Sequence, residues 1–173
     1  WSTDSWTGSL VPADGQGVNE GGAGDSTTTT MNSFLALSLE SGYDAIAYGN
    51  ISAGSHTTTL EEKTRVEAAG NVSLDVSLSG TSMTGPGADI TADNQKYAAT
   101  GVAWASGTDL SGSPAPFDLN TCKSGYTGTP EYKPVYWGIN IPAGQVSGAY
   151  TGTNTITAVK NNWVNPDDWC EVP

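Results

Sequence analysis

The sequence is short of charge, and shortest of positive charge. Its 173 residues hold 6 Lys and Arg against 18 Asp and Glu, charged residues are 14% of the total, and the formal charge is −12. A surface of that sign repels phosphate backbones and anionic lipid, so nucleic-acid binding is not expected. Histidine occurs once, at His56 in the turn-like run Gly54-Ser55-His56-Thr57. Any Ser-His-Asp device would have to use it, and no Gly-x-Ser-x-Gly elbow accompanies it. Cysteine occurs twice, at Cys122 and Cys170. The two are too far apart for a redox CxxC pair, and with one histidine they are too few for a zinc site. They are expected to form a structural disulfide, which implies an oxidising compartment. No run of 18 apolar residues occurs, so no membrane-spanning helix is expected.

Other chemistry is equally sparse. Adjacent carboxylates at Glu61-Glu62 do not converge as a glycosidase pair, because neighbouring strand residues point to opposite faces, and Asp167-Asp168 follows Pro166 in a turn, where solvated carboxylates are expected. Gly15-Gln16-Gly17 begins like a dinucleotide fingerprint but lacks the third glycine and a βαβ setting. No twelve-residue calcium loop is present, although Asp14, Glu20 and Asp25 leave an irregular cation site open as an alternative. The expectation is therefore no enzyme, no catalytic residue, no cofactor and no dedicated metal site. Asn50-Ile51-Ser52 and Asn71-Val72-Ser73 are N-glycosylation sequons.

Glycine is abundant at 22 residues, threonine and serine fill the place of charge, and 36% of residues are hydrophobic. Such a composition suits short strands joined by turns and gives a folded core. The apolar pattern agrees. Val72, Leu74, Val76 and Leu78 alternate with Ser73, Asp75, Ser77 and Ser79, and Val135, Trp137, Ile139 and Ile141 alternate likewise. Further strands are expected around Leu35–Leu39, Ala45–Ile51, Thr57–Glu67, Tyr97–Trp104 and Gly148–Val159. A strand pair is expected either side of Gly70-Asn71. The stretch from Gly80 to Pro130 is looser, with turns at Gly85-Pro86-Gly87 and Ser111-Gly112-Ser113-Pro114. Seven or more short strands with turn punctuation predict an all-β, antiparallel sandwich, immunoglobulin-like or jelly-roll-like, in one domain with an N-terminal strand extension. Residues 1–30 are expected to supply that strand and a Gly/Thr-rich loop, and residues 31–173 the sandwich.

Two segments carry a resemblance. Ala69-Gly70-Asn71-Val72-Ser73-Leu74-Asp75-Val76-Ser77-Leu78-Ser79-Gly80 resembles the strand pair of immunoglobulin-like sandwiches in bacterial and archaeal surface proteins. Trp137-Gly138-Ile139-Asn140-Ile141-Pro142-Ala143-Gly144, with Gly148-Ala149-Tyr150-Thr151-Gly152-Thr153, resembles their closing hairpin. The resemblance implies that Tyr150 sits like a tyrosine corner, its hydroxyl bonded to backbone. In overall layout the chain is also similar to camelysin-like matrix-fibre subunits, which polymerise by donating a terminal strand.

The six tryptophans divide unevenly. Trp104 and Trp137 fall in expected strands and read as core. Trp1, Trp6, Trp163 and Trp169 fall near the two ends, where large aromatics need cover. One arrangement folds both ends onto the chain's own sandwich. Another sends the N-terminal segment, with Trp1, Trp6 and Leu10 as contacts, onto a neighbouring copy's sheet. A third is a carbohydrate-binding module in which Trp163 and Trp169 stack on sugars. A start at Trp1 without Met or an apolar leader is what removal of a secretion signal would leave, and a sequence trimmed for another reason would look the same. The expected role is thus a secreted, extracellular structural or adhesive module. It would form head-to-tail contacts with its own copies, with glycans as the alternative partner and no membrane insertion.

Overall fold

The computed structural model of the chain describes residues 5–8, 27–30, 33–123 and 131–160, with backbone alone in the first two segments. It divides into two compact units, Trp1–Phe34 and Leu35–Pro173. In the first, β1 (Ser5–Gly8) pairs antiparallel with β2 (Thr27–Thr30), Trp6 opposite Thr29. The N-terminal strand expected from the sequence thus pairs with the threonine run that had read as loop.

The described residues of the second unit hold eight strands: β3 (Leu37–Leu39), β4 (Glu62–Ala68), β5 (Leu74–Gly80), β6 (Gln95–Ala98), β7 (Thr108–Asp109), β8 (Ala115–Thr121), β9 (Tyr132–Ile139) and β10 (Asn154–Lys160). They form a five-stranded sheet ordered β3-β4-β9-β6-β7 and a three-stranded sheet ordered β10-β5-β8, all paired antiparallel. The described residues contain no α-helix, only single 3-10 turns at Ala92–Asn94 and Trp104–Ser106. The chain is an all-β sandwich.

Alternation in sequence becomes burial in space. Leu74, Val76 and Leu78 of β5 are at most 1% exposed and meet Val66 and Ala68 of β4 and Val135 and Trp137 of β9 in one core. Trp137 is fully buried, and its indole N–H donates to Thr64 Oγ1 at 3.0 Å. Its ring lies 6.1 Å from that of Tyr97 on β6, which meets Phe117 of β8 edge-on at 5.1 Å. This aromatic row joins the two sheets. Beside Trp137 the backbone itself is packed: a Cβ on Gly138 would come within 2.6 Å of Thr57 Oγ1.

Four local expectations are corrected. The strands either side of Gly70-Asn71 are not a hairpin, because β4 and β5 belong to different sheets. Ala69 N–H still donates to Ala36 O, so β4 remains tied to β3 and the chain crosses the core only afterwards. Identical alternation serves both outcomes, since a hairpin and an arch each bury every second residue. Ala45–Ile51 forms no strand, and no backbone–backbone hydrogen bond engages these residues among those described. Gly49 there takes φ +71°, which breaks any continuous ladder. The Tyr97–Trp104 strand is Gln95–Ala98, and Trp104 opens a 3-10 turn, half-buried instead of core. Finally, the loose stretch after Gly80 supplies three strands, including the seven-residue β8.

β8 escaped the sequence pattern because it is irregular. Its register with β5 shifts between Leu74 and Val76, and Asn120 sits at φ 53°. The Asn120 N–H donates to Asp75 Oδ1 at 2.8 Å across the bulge. Desolvation raises the Asp75 pKa, opposed by this hydrogen bond and reinforced by the Asp118 charge.

Candidate functional site

Most residues singled out near the ends fall outside the described ones: Trp1, Leu10, Trp163, Trp169 and Cys170. Trp6 belongs to β1. Cys122 follows β8 and is 6% exposed, and no free cysteine is found among the described residues. Pairing with Cys170 has a direct test. Peptide mapping without prior reduction is expected to recover one Cys122–Cys170 cross-linked fragment, and two alkylated thiols would refute it.

The two sequons differ in setting. Asn50 is exposed on the unpaired 45–51 segment, whereas Asn71 is half-buried and already engaged. Glycosylation needs an acceptor asparagine free to enter an enzyme. Secretion from an N-glycosylating host is therefore expected to modify Asn50 in preference to Asn71, as read by intact-mass and peptide mass spectrometry.

His56 is exposed, as a turn histidine should be, but it is not isolated. Its ring stacks on Trp104 at 5.3 Å and 16°, and Lys96 Nζ lies 5.4 Å from the Trp104 ring centre. Lys96 also bridges to Asp109 at 2.6 Å and donates to Gly107 O at 3.1 Å. These contacts pin the 3-10 turn to the β6–β7 edge. His56 Nδ1 lies 2.9 Å from Thr57 O, and among the described residues no carboxylate is bonded to its ring.

Two features of the sandwich are left open. The first is a sheet edge. Edge strands expose unpaired N–H and C=O groups, and proteins blunt them by shortness, proline, charge or bulges. The two sheets end in β3, β7, β8 and β10. β3 has three residues and β7 two. β8 carries the bulge, Asp118 and Pro116. Among the described residues only β10 is a long edge without a guard: seven residues, Asn-Thr-Ile-Thr-Ala-Val-Lys, without proline and with its one charge at the last position.

Hydrogen-bond parity says which groups β10 offers. Thr81 N–H donates to Thr153 O at 2.9 Å, while Gly80 N–H turns the other way to Ser111 O. In the antiparallel ladder that continues from there, Thr155, Thr157 and Val159 bond to β5. Ile156 and Ala158 therefore aim their backbone groups at the open edge, while their side chains pack on the core. The same parity on β8 turns the nitrogen of Pro116, opposite Ser77, to the outside, where its missing proton closes that edge.

The second feature is a cleft of about 800 Å³ at the end of the sandwich where β5 and β9 finish and β6 and β10 begin. One wall is the unpaired segment from Ile46 to Ala53, and the other is the loop from Gln145 to Tyr150. Met83, Ile90, Ile139 and Ile141 also line it. Tyr48 reaches inward from the first wall and donates to Gln95 Oε1 at 3.0 Å; Asn154 Nδ2 donates to the same oxygen at 2.9 Å. Burial, with the Glu62 charge adding, pushes the Tyr48 phenol well above its usual range, so it stays protonated and donating.

Tyr150 braces the second wall. Its hydroxyl accepts from Gly87 N–H and donates to Val146 O, both at 3.0 Å, and its ring covers Gly85. The hydroxyl is bonded to backbone as the resemblance implied, though the segment it secures is the 85–87 turn. Tyr150→Phe is expected to lower the unfolding free energy by about 1 kcal/mol, the net worth of such bonds. Urea denaturation checks it, and an unchanged midpoint would show the brace to be idle.

The edge and the cleft both had a trace in the sequence: no Asp, Glu, Lys or Arg occurs from Ala45 to Leu60 or from Pro134 to Val159. The runs from Val135 to Ile141 and from Gly148 to Val159 read as strands, but which stretch would form a cleft wall or an open edge was not legible. No family model matches the chain, and comparisons with curated proteins and with solved structures find no match.

Proposed function

We propose that the chain is an extracellular structural or adhesive module whose copies cohere by β-strand addition. The observation that carries this reading is β10, the one long sheet edge without a guard among the described residues. A two-stranded hairpin of four-residue strands, such as β1 with β2, is marginal alone and gains stability by joining a larger sheet. The β1–β2 hairpin of one copy, with Trp1, Trp6 and Leu10 as apolar contacts, supplies the added strand to β10 of the next. The contact is heterologous and does not close on itself, so its product is a filament. The low charge, the paucity of lysine and the likeness to surface-protein sandwiches support an extracellular setting.

Electron microscopy and sedimentation of the purified full-length protein test the reading. Filaments or concentration-dependent oligomers are expected. A monodisperse monomer at high concentration would overturn it.

A further inference from the structure

The cleft at the end of the sandwich is chemically unlike the rest of the molecule. None of its lining residues is Asp, Glu, Lys, Arg or His, in a protein whose formal charge is −12. A site for a phosphate, sulfate or uronate needs a cation, and a site for a cationic ligand or metal ion needs carboxylates. The lining supplies neither, so its ligand is neutral.

What it supplies is amide and hydroxyl. Asn50 and Ser52 on one wall and Ser147 on the other are exposed, and no protein hydrogen bond engages their side chains among the described residues. Each can donate and accept, which matches a ligand hydroxyl that also does both. The backbone N–H and C=O groups of residues 45–51, with no backbone partner among the described residues, add further donors and acceptors. Between the walls, Met83, Ile90, Ile139 and Ile141 provide an apolar surface. An alternation of hydroxyls with apolar C–H faces is the surface of a pyranose. A peptide strand fits less well, because Gly49 at φ +71° interrupts the extended run and leaves too short a ladder.

The walls are also set in advance. Tyr150 is bonded at its hydroxyl from two sides, Gln145 Nε2 donates to Ala88 O, and Thr84 and Thr151 exchange backbone bonds at 2.8 and 3.0 Å. Across the cleft, Gly54 N–H donates to Ile141 O at 2.8 Å. A preformed cleft of about 800 Å³ is within the size of small-ligand sites, and pre-organisation lowers the entropy lost on binding. We propose that this cleft binds a neutral oligosaccharide, gripped by Asn50, Ser52 and Ser147 and by the open backbone of residues 45–51. None of the cleft's lining residues belongs to β10, so binding here does not depend on assembly.

The test is calorimetric titration of the full-length protein with cellohexaose, maltohexaose, xylohexaose, mannohexaose and N-acetylchitohexaose, with an oligogalacturonate as anionic control. At least one neutral series is expected to bind, and the anionic control is expected not to. Asn50→Ala and Ser147→Ala are each expected to weaken binding about tenfold at an unchanged melting temperature. Ser147→Trp, which fills the cleft from an exposed position, is expected to abolish it; if that variant does not fold, the two alanine variants decide. Absence of binding to every neutral series at millimolar concentration overturns the proposal. So does binding that persists at full strength in the cleft variants, which would place the sugar elsewhere on the chain.

Discussion

Trp137→Ala is expected to lower the unfolding free energy by about 3–5 kcal/mol, a large part of the roughly 5–15 kcal/mol that holds a domain together. The indole is fully buried on β9, between the sheets, with Tyr97 beside it and Val66, Leu78 and Val135 in the same core. Truncation removes the largest side chain of that core, and the surrounding strands are held by their ladders and cannot collapse into the space. It also strands Thr64 Oγ1, 4% exposed, which loses the indole donor. Trp137→Phe separates the two effects. It keeps much of the volume and removes the hydrogen bond, so a smaller loss of about 1–3 kcal/mol is expected. Urea unfolding followed by far-ultraviolet circular dichroism measures both. A Trp137→Ala midpoint equal to that of the parent would mean that the aromatic row does not hold the sheets together.

Ala158→Pro is expected to abolish self-association while leaving the sandwich folded. The Ala158 N–H faces the open side of β10 by the parity of the β5 ladder, so proline there removes a donor that only an incoming strand would use. The same change at Thr157 would instead break a bond to β5, which makes Thr157→Pro the destabilising control. Thr157→Lys acts differently: its exposed side chain places a charge on the edge, as guarded edges have, and leaves every backbone bond in place. Sedimentation velocity should show Ala158→Pro and Thr157→Lys as monomers with the parent's circular dichroism. Assembly that survives both variants would remove β10 from the mechanism, whatever the fate of the N-terminal hairpin.

Much of the fold was legible before any coordinates. Val72 to Leu78 and Val135 to Ile141 alternate without a fault, and the structure buries the members of those runs in β5 and β9 that face the core. Side-chain period is a local property, set by the pleat, so the sequence carries it directly. All-β class follows from the same property, together with glycine- and threonine-rich punctuation. The irregular elements were not legible for an equally physical reason. β8 hides its alternation behind Pro116 and the two-residue bulge that ends at Asn120, while Ala45–Ile51 shows strand-like residues but finds no ladder.

The near absence of charge in the cleft and in β10 was likewise written in the sequence, as two long stretches without Asp, Glu, Lys or Arg. What only tertiary structure decided was pairing. Whether β4 and β5 would lie side by side or face one another was settled by distant partners, β3 and β9 for β4 and β8 and β10 for β5. Whether Trp104 would enter the core or lie against His56 and Lys96 turned on where β6 ends. The edge left open was decided by strand order, because β10 is exposed only through its place outside β5. Alternation tells a strand which face to bury; it does not tell the strand which neighbour it will have, because that choice is made by contacts between residues distant in sequence.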